Sequence, residues 1–379
     1  MRVEARAIVC LLLLPSSALA QGSEFGVRAL GLPVVSTSAR AQGMAGGFGL
    51  FDPEAGLNPA SLGGILASVA TFNVRQFWRA SENPTGVGRG TDMQFPLMFV
   101  AGPVGSRWVV GLSVSALLDR TFAVAFRDTV EVRGERVAVD DTLASRGGLS
   151  DLRAGVAYRP NEWLTVGVGL HLVTGLNRIE FRRAFASPDY ASVLLIQELS
   201  AAGQGASVGV LFEPSVQFRL AAMARVDSDL RLVLDSVRVA TQPMPSTLGL
   251  GLGWQPSLRL SLHGHVRYQN WSVADSSIRA RGGVGARSTI ETAAGIEWIR
   301  NTQRPFTLPF RAGVRYRQLP FPLVPGTQPQ ELAVAAGTGI RFAGGRASVD
   351  LALERSWRSD RGAYRERNVG LAVGVGVRP

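Results

Sequence analysis

Leu164-Thr165-Val166-Gly167-Val168-Gly169-Leu170-His171-Leu172-Val173 is the stretch on which the fold turns. In an extended chain Leu164, Val166, Val168, Leu170 and Leu172 share one face, and Thr165, Gly167, Gly169 and His171 share the other. A period of two is the strand signature, and the interior glycines weigh against a helix. The division recurs downstream. Across 216–227, Val216, Phe218, Leu220, Ala222, Ala224 and Val226 oppose Gln217, Arg219, Arg225 and Asp227. Across 258–269, Leu258, Leu260, Leu262, Val266 and Tyr268 oppose Arg259, Ser261, His263, His265, Arg267 and Gln269. Near the C-terminus, Val369, Leu371, Val373, Val375 and Val377 oppose Gly370, Ala372, Gly374, Gly376 and Arg378. Soluble sandwiches alternate too, but their outer faces carry more charge. One apolar and one polar face on each strand is what a membrane barrel requires.

The expected class is therefore all-β: a transmembrane antiparallel β-barrel of about fourteen strands. The pattern predicts strands at 68–79, 94–101, 107–118, 149–158, 163–174, 205–213, 216–227, 246–255, 258–270, 288–299, 307–318, 331–342, 346–356 and 367–378. Short connections (Gly102–Ser106, Arg159–Glu162, Pro214–Ser215, Pro256–Ser257, Arg300–Phe306, Ala343–Gly345) alternate with long loops at 80–93, 119–148, 175–204, 228–245, 271–287, 319–330 and 357–366. Short periplasmic turns and long outer loops fit a bacterial outer-membrane barrel. Trp108, Tyr158, Trp163, Phe212, Trp254, Trp298 and Phe342 lie beside short turns. Tyr268, Trp271, Tyr316 and Trp357 lie near long loops, so two interfacial girdles are expected.

The N-terminal residues belong to neither pattern. Arg2 and Arg6, the apolar run Ile8–Leu14 and Ala18-Leu19-Ala20 read as a signal peptide over 1–20. The one cysteine, Cys10, leaves with it. Residues 21–66 are rich in Gly, Ala and Ser without strand alternation, and 67–379 form the barrel. Of 379 residues, 46% are hydrophobic, but no mature run is long enough for a membrane helix. The net charge of +11 is carried by arginine without lysine. An exported chain makes nucleic acid an improbable partner, and arginines lining a barrel or facing lipid and lipopolysaccharide headgroups account for the charge.

Ala39-Arg40-Ala41-Gln42-Gly43-Met44-Ala45-Gly46-Gly47, followed by Asp52-Pro53-Glu54-Ala55-Gly56-Leu57-Asn58-Pro59-Ala60-Ser61-Leu62, resembles the N-terminal plug of the FadL/TodX family of outer-membrane transporters for hydrophobic compounds. The family carries a glycine-rich stretch and then an Asn-Pro-Ala motif before its first strand. Related barrels of the PorV/PorQ kind, tied to type IX secretion, share both motifs. The resemblance implies a plug in the lumen, a surface groove, an internal pocket and a sideways exit through the wall. It implies a hydrophobic or fatty-acid ligand taken up passively. The alternative is an accessory or scaffold barrel with secretion-system partners. The chain departs from many outer-membrane proteins by ending on Val377-Arg378-Pro379 without a terminal aromatic.

Three further motifs bear on chemistry. Gly249-Leu250-Gly251-Leu252-Gly253-Trp254 alternates and opens no helix, so it is not a nucleotide loop. His263 and His265 share a face but lack nearby metal-ligand companions, so no metal and no cofactor are expected. A hydrolase would need a Ser–His pair with an orienting third group. His171, or His263 with Ser261, is not singled out for that role, and no enzymatic activity is expected. Candidate ligand-binding residues on the lumen face are Arg219, Arg225, His263, His265, Arg267, Arg311 and Arg315, since a guanidinium can hold a carboxylate by two bonds. The opposing account is that such arginines brace the wall and plug. Leu50, Phe51 and Leu57 would line the acyl tail. Asn58, Pro59 and Ala60 are expected to anchor the plug. Tyr190, Val193, Leu194 and Ile196 are expected on a short amphipathic helix of an outer capture loop.

Overall fold

The computed structural model describes residues 22–84, 86–300 and 308–378. The expected signal peptide, most of the Arg300–Phe306 turn and the terminal Pro379 lie outside them. Fourteen antiparallel strands close into a barrel: β1 Val69–Asn83, β2 Gly86–Val104, β3 Trp108–Asp119, β4 Glu135–Tyr158, β5 Leu164–Phe185, β6 Val193–Ser215, β7 Phe218–Asp227, β8 Thr247–Ser257, β9 Leu260–Gln269, β10 Thr289–Ile299, β11 Pro309–Gln318, β12 Gln330–Phe342, β13 Ala347–Asp360 and β14 Tyr364–Val377. Each pairs with its sequence neighbour, and β14 closes on β1 from Arg365↔Glu82 to Val377↔Ala70. Every expected strand has its counterpart.

Closure requires alternate residues to point into the barrel, and the burial follows the sequence period. On β5, Thr165, His171 and Val173 are buried while Val168 and Leu170 are 53% and 65% exposed. A continuous apolar outer belt on this scale is not tolerated in water and is what a lipid-embedded barrel presents. Ring pairs line the short-turn end: Trp108 with Tyr158 at 4.5 Å, Trp163 with Phe212 at 5.7 Å, Trp298 with Phe310 at 5.9 Å. Trp271 is a correction. It is 2% exposed, packed on Phe321 at 5.1 Å within the cap formed by the long connections, and takes no part in a girdle.

Several long connections are strand, not loop. Phe122–Val132 pairs with the first half of β4. Leu230–Leu234 pairs with both Val237–Gln242 and β6. The expected helix around Tyr190 is absent. Val193 onward belongs to β6 and pairs with β5 from Arg183↔Val193. Val193-Leu194-Leu195-Ile196 is an unbroken apolar run, which periodicity alone cannot divide between helix and strand. Cross-strand pairing decides it, and the run lies exposed near the tip of a projecting hairpin.

Candidate functional site

Residues 22–64 run along the inside of the barrel with little regular structure of their own: a helical turn at Ala39–Gln42 and 3-10 turns at Glu24–Gly26 and Pro59–Gly64. Buried backbone groups must find partners, and inward side chains of the wall provide them. Arg317 Nη1 donates to Pro33 O at 2.9 Å, Arg75 Nη2 to Val35 O at 3.0 Å and Arg315 Nη1 to Ala45 O at 3.1 Å. Arg153 Nη1 donates to Gly56 O. Asn73 Oδ1 accepts from Ala39 N at 2.8 Å. Asn58, extended as a residue before proline should be, accepts from Ala60 N at 3.0 Å and donates through Nδ2 to Val210 O at 3.4 Å. Asn58-Pro59-Ala60 is thus closed on itself and tied to β6. Leu50 and Phe51 pack with Leu211, Ala221 and Met223, with Leu57 at the edge of that cluster.

The expected ligand arginines are mostly occupied. Arg225 reaches Asp151 at 2.6 Å and Asp227 at 2.8 Å. Arg267 meets Glu291 at 2.8 Å, and His265 Nε2 lies 3.3 Å from the same carboxylate. Arg311 joins Glu297 and Asp350, each at 2.6 Å. Arg315 lies between Glu331 at 3.2 Å and Glu354 at 3.1 Å. Register accounts for part of the pairing: Arg267↔Glu291, Glu297↔Arg311 and Arg317↔Glu331 stand directly opposite on neighbouring strands. Composition alone counts an excess of arginine and cannot see that its carboxylates are cross-strand partners. Arg219 differs. It is partly exposed, pairs with Glu213 at 2.9 Å, and lines a cavity of about 890 Å³ at the short-turn end. His263 lines the same cavity and stands edge-on to Phe48 at 4.8 Å. Among the described residues no three His, Cys, Asp or Glu gather as metal ligands.

One part of the wall is unlike the rest. β2 and β3 pair from Val104↔Trp108 only as far as Leu97↔Ser115. The next residue on β2 is Pro96, which has no N–H to donate. Phe95 and Pro96 of β2 stand against the single Val74 between the β1–β2 pairs Asn73↔Leu97 and Arg75↔Gln94, and Leu117 is extra between Ala116↔Ser150 and Leu118↔Leu149. Bulges of this kind bend a strand and end its pairing. Above Pro96 the two strands part, and the N-terminal segment fills the cleft. Leu32 and Pro33 pair with Asp119 and Leu118, and Val34 N donates to Leu117 O at 3.0 Å. Ser36 Oγ donates to Ala116 O. Gly31 has φ +102°, and a Cβ there would stand 2.4 Å from Asp119 O, so only glycine fits that approach. Gln94 Nε2 bridges the cleft to Asp119 Oδ2 at 2.9 Å. A groove of about 460 Å³ continues the cleft outward between Val87 on β2 and Ala123–Ala125 beyond β3.

No protein-family profile matches the chain, and no curated protein matches it in sequence. Solved structures match over nearly the whole length. A Pseudomonas aeruginosa FadL homologue is 14% identical with a TM-score of 0.64, covering 92% of this chain and 99% of that one. The fold is that of the FadL and TodX transporters. The Ralstonia pickettii toluene transporter TbuX and the P. putida toluene transporter TodX give TM-scores of 0.61 and 0.60, each at 14% identity and each covering 91% of this chain and 99% of its own. Within this FadL-like barrel, the parting of β2 from β3 was the feature least visible beforehand. Pro96 inside an apolar run was its one sequence signal.

Proposed function

We propose that the protein is a bacterial outer-membrane channel through which hydrophobic small molecules, fatty acids among them, diffuse into the membrane. The observation that carries this reading is the cleft between β2 and β3, filled by a segment that no wall strand encloses. An apolar molecule loses about 25 cal/mol for each Å² it must expose to water. A sideways exit into lipid avoids that loss, whereas a water-filled pore does not. The exposed apolar belt supports a membrane setting, and the structural neighbours named as toluene transporters support the cargo class.

In this reading residues 21–66 are the plug, held by Asn58-Pro59-Ala60 and the carbonyl-binding arginines, and 1–20 are the export signal. Cargo enters by the groove at the long-hairpin end, where exposed Val193, Leu194 and Ile196 favour its capture. Arg225, Arg267, Arg311 and Arg315 brace the wall. Arg219 and His263 remain the candidates to meet a carboxylate, on the periplasmic side.

Cysteines placed at Gln94 and Asp119 and joined by a short bis-methanethiosulfonate should lower toluene uptake by cells, and reductant should restore it. The same link between Ala154 and Leu170, opposite each other on the intact β4–β5 wall, should leave uptake unchanged. Equal uptake with the cleft linked would refute the lateral exit. A tag in 175–204 should be reachable on intact cells and one at Pro256-Ser257 should not. The reverse would invert the orientation.

A further inference from the structure

Three inward side chains from adjacent strands form a chain of hydrogen bonds that uptake does not use. Ser207 Oγ on β6 lies 2.8 Å from His171 Nε2 on β5. His171 Nδ1 lies 2.9 Å and 3.0 Å from the carboxylate oxygens of Asp151 on β4. All three are buried. An ionised carboxylate only accepts, so Nδ1 carries the imidazole proton and Nε2 is left to accept from the serine hydroxyl. Asp151 is held from its other side by Arg225 at 2.6 Å, which fixes the carboxylate against the imidazole.

The space beside the serine is kept clear. A Cβ on Gly169 would stand 2.6 Å from Ser207 Oγ, 3.3 Å from His171 Nε2 and 3.4 Å from Arg153 Cδ, so serine, imidazole and arginine stem converge there. Arg153 is 3% exposed, and its Nε and Nη2 have no hydrogen-bond partner. A buried guanidinium with two uncommitted nitrogens beside a hydroxyl–imidazole–carboxylate relay is a donor for negative charge developing near the serine. Arg153 Nη1 holds Gly56 O, and Asn58 lies two residues further on, so the N-terminal segment roofs this site.

We infer that Ser207 is a nucleophile for acyl transfer, with His171 as its base, Asp151 orienting the base and Arg153 receiving the oxyanion. The substrate class is a carboxylic ester with an apolar acyl group. Ser207 Oγ attacks the carbonyl carbon while its proton passes to His171 Nε2. The ester C–O bond breaks, and the same proton leaves on the alcohol oxygen. Water then attacks the acyl-serine, again giving a proton to His171, and the acid departs as that proton returns to Ser207 Oγ. Water is the only co-reactant. The arrangement is recognised by geometry and roles, and it runs against the sequence-based expectation that the chain is no enzyme.

The test uses the full-length protein in detergent with a fluorophosphonate–biotin probe and peptide mass spectrometry. Label should fall on Ser207, and it should rise in Asn58→Ala, where the roof is less firmly tied. Ser207→Ala should give no label while keeping the heat-modifiable migration of a folded barrel. His171→Gln should slow labelling by about 10²-fold or more, the usual range for a lost general base. A structural bracing role would move none of these readouts. Folded wild type and Asn58→Ala that both stay unlabelled, or label confined to other serines, would overturn the proposal. Toluene uptake is measured separately, so that failure would leave the channel reading standing.

Discussion

β5 and β6 stay in register from Leu164↔Phe212 to Arg183↔Val193, whereas β2 and β3 hold together only from Val104↔Trp108 to Leu97↔Ser115. Both pairs turn apolar side chains outward, and both alternate apolar and small residues. The difference lies in a few backbone features. β5 and β6 carry no proline over their paired length, so the ladder runs unbroken into the projecting hairpin. On the other side the bulge at Phe95-Pro96, the missing N–H of Pro96 and the extra Leu117 combine to stop the ladder. The unpaired edge of β3 then meets residues 32–34 instead of a wall strand. A barrel abolishes strand edges by closure. Here one short edge is preserved and covered by a segment of the chain's own N-terminus.

Removing that cover should have the largest effect. Deletion of 22–60 takes away the residues that fill the cleft and those that bond to Arg75, Arg153, Arg315 and Arg317. Planar bilayers should change from closed to steadily conducting. Unchanged conductance would mean that residues 22–60 do not block the lumen. Next in size is Arg315→Ala. It leaves Glu354 buried without its cation, while Glu331 keeps Arg317 and Arg358, and breaking one partner of a buried pair costs about 3–5 kcal/mol. Urea unfolding in detergent should show a loss of that order. The wall between β11 and β13 should suffer it without any change in the β2–β3 cleft, as read by cross-linking at Gln94 and Asp119.

Gly31→Val acts on the cleft alone. A branched side chain at φ +102° and against Asp119 O cannot keep the observed backbone. The strain is about 1–3 kcal/mol, and the segment should relieve it by lifting away from β3. Faster proteolysis of residues 22–35 would report this, and an unchanged rate would show that the pairing with Leu118 and Asp119 contributes little to holding the segment. Asn58→Ala should be milder, about 1 kcal/mol for a lost cap, and should loosen the segment at β6 without affecting the cleft.

How much of this was legible beforehand depends on whether a feature is local. The strands were readable because burial on β5 follows the spacing of Val166, Val168 and Leu170. The hairpin extensions were not, because charged stretches such as Arg178–Arg183 look like loop until their partners are known. Val193–Ile196, an unbroken apolar run, reads equally as helix until its pairing with β5 is known. The relay of Asp151, His171 and Ser207 shares an inward parity that the alternation does reveal. Bringing the three together needs the registers Arg153↔His171 and His171↔Gly205, which depend on turn geometry and not on composition. The arginine excess on the lumen face left two accounts open. Head-group binding and bracing could not be told apart until the register placed Glu291 opposite Arg267 and Glu297 opposite Arg311.

The smallest expected effect separates the two accounts of those arginines. Arg219 is the one member of the expected set that stays about half-exposed, with a side chain 44% exposed and a partner, Glu213, at 32%. An exposed ion pair is worth less than about 1 kcal/mol, so Arg219→Ala should barely alter unfolding, in contrast to Arg315→Ala. If Arg219 receives a carboxylate in the cavity it shares with His263, fatty-acid binding should weaken by about 1.5–3 kcal/mol while binding of a neutral hydrocarbon of similar length is unchanged. Arg225→Ala and Arg267→Ala should do the converse, lowering stability through Asp151 and Glu291 without discriminating acid from hydrocarbon. Isothermal titration of both ligands against the three variants decides the matter. Equal losses for acid and hydrocarbon at Arg219 would make it one more brace, and acid selectivity would then have to come from a buried guanidinium without a carboxylate partner, Arg75 or Arg153.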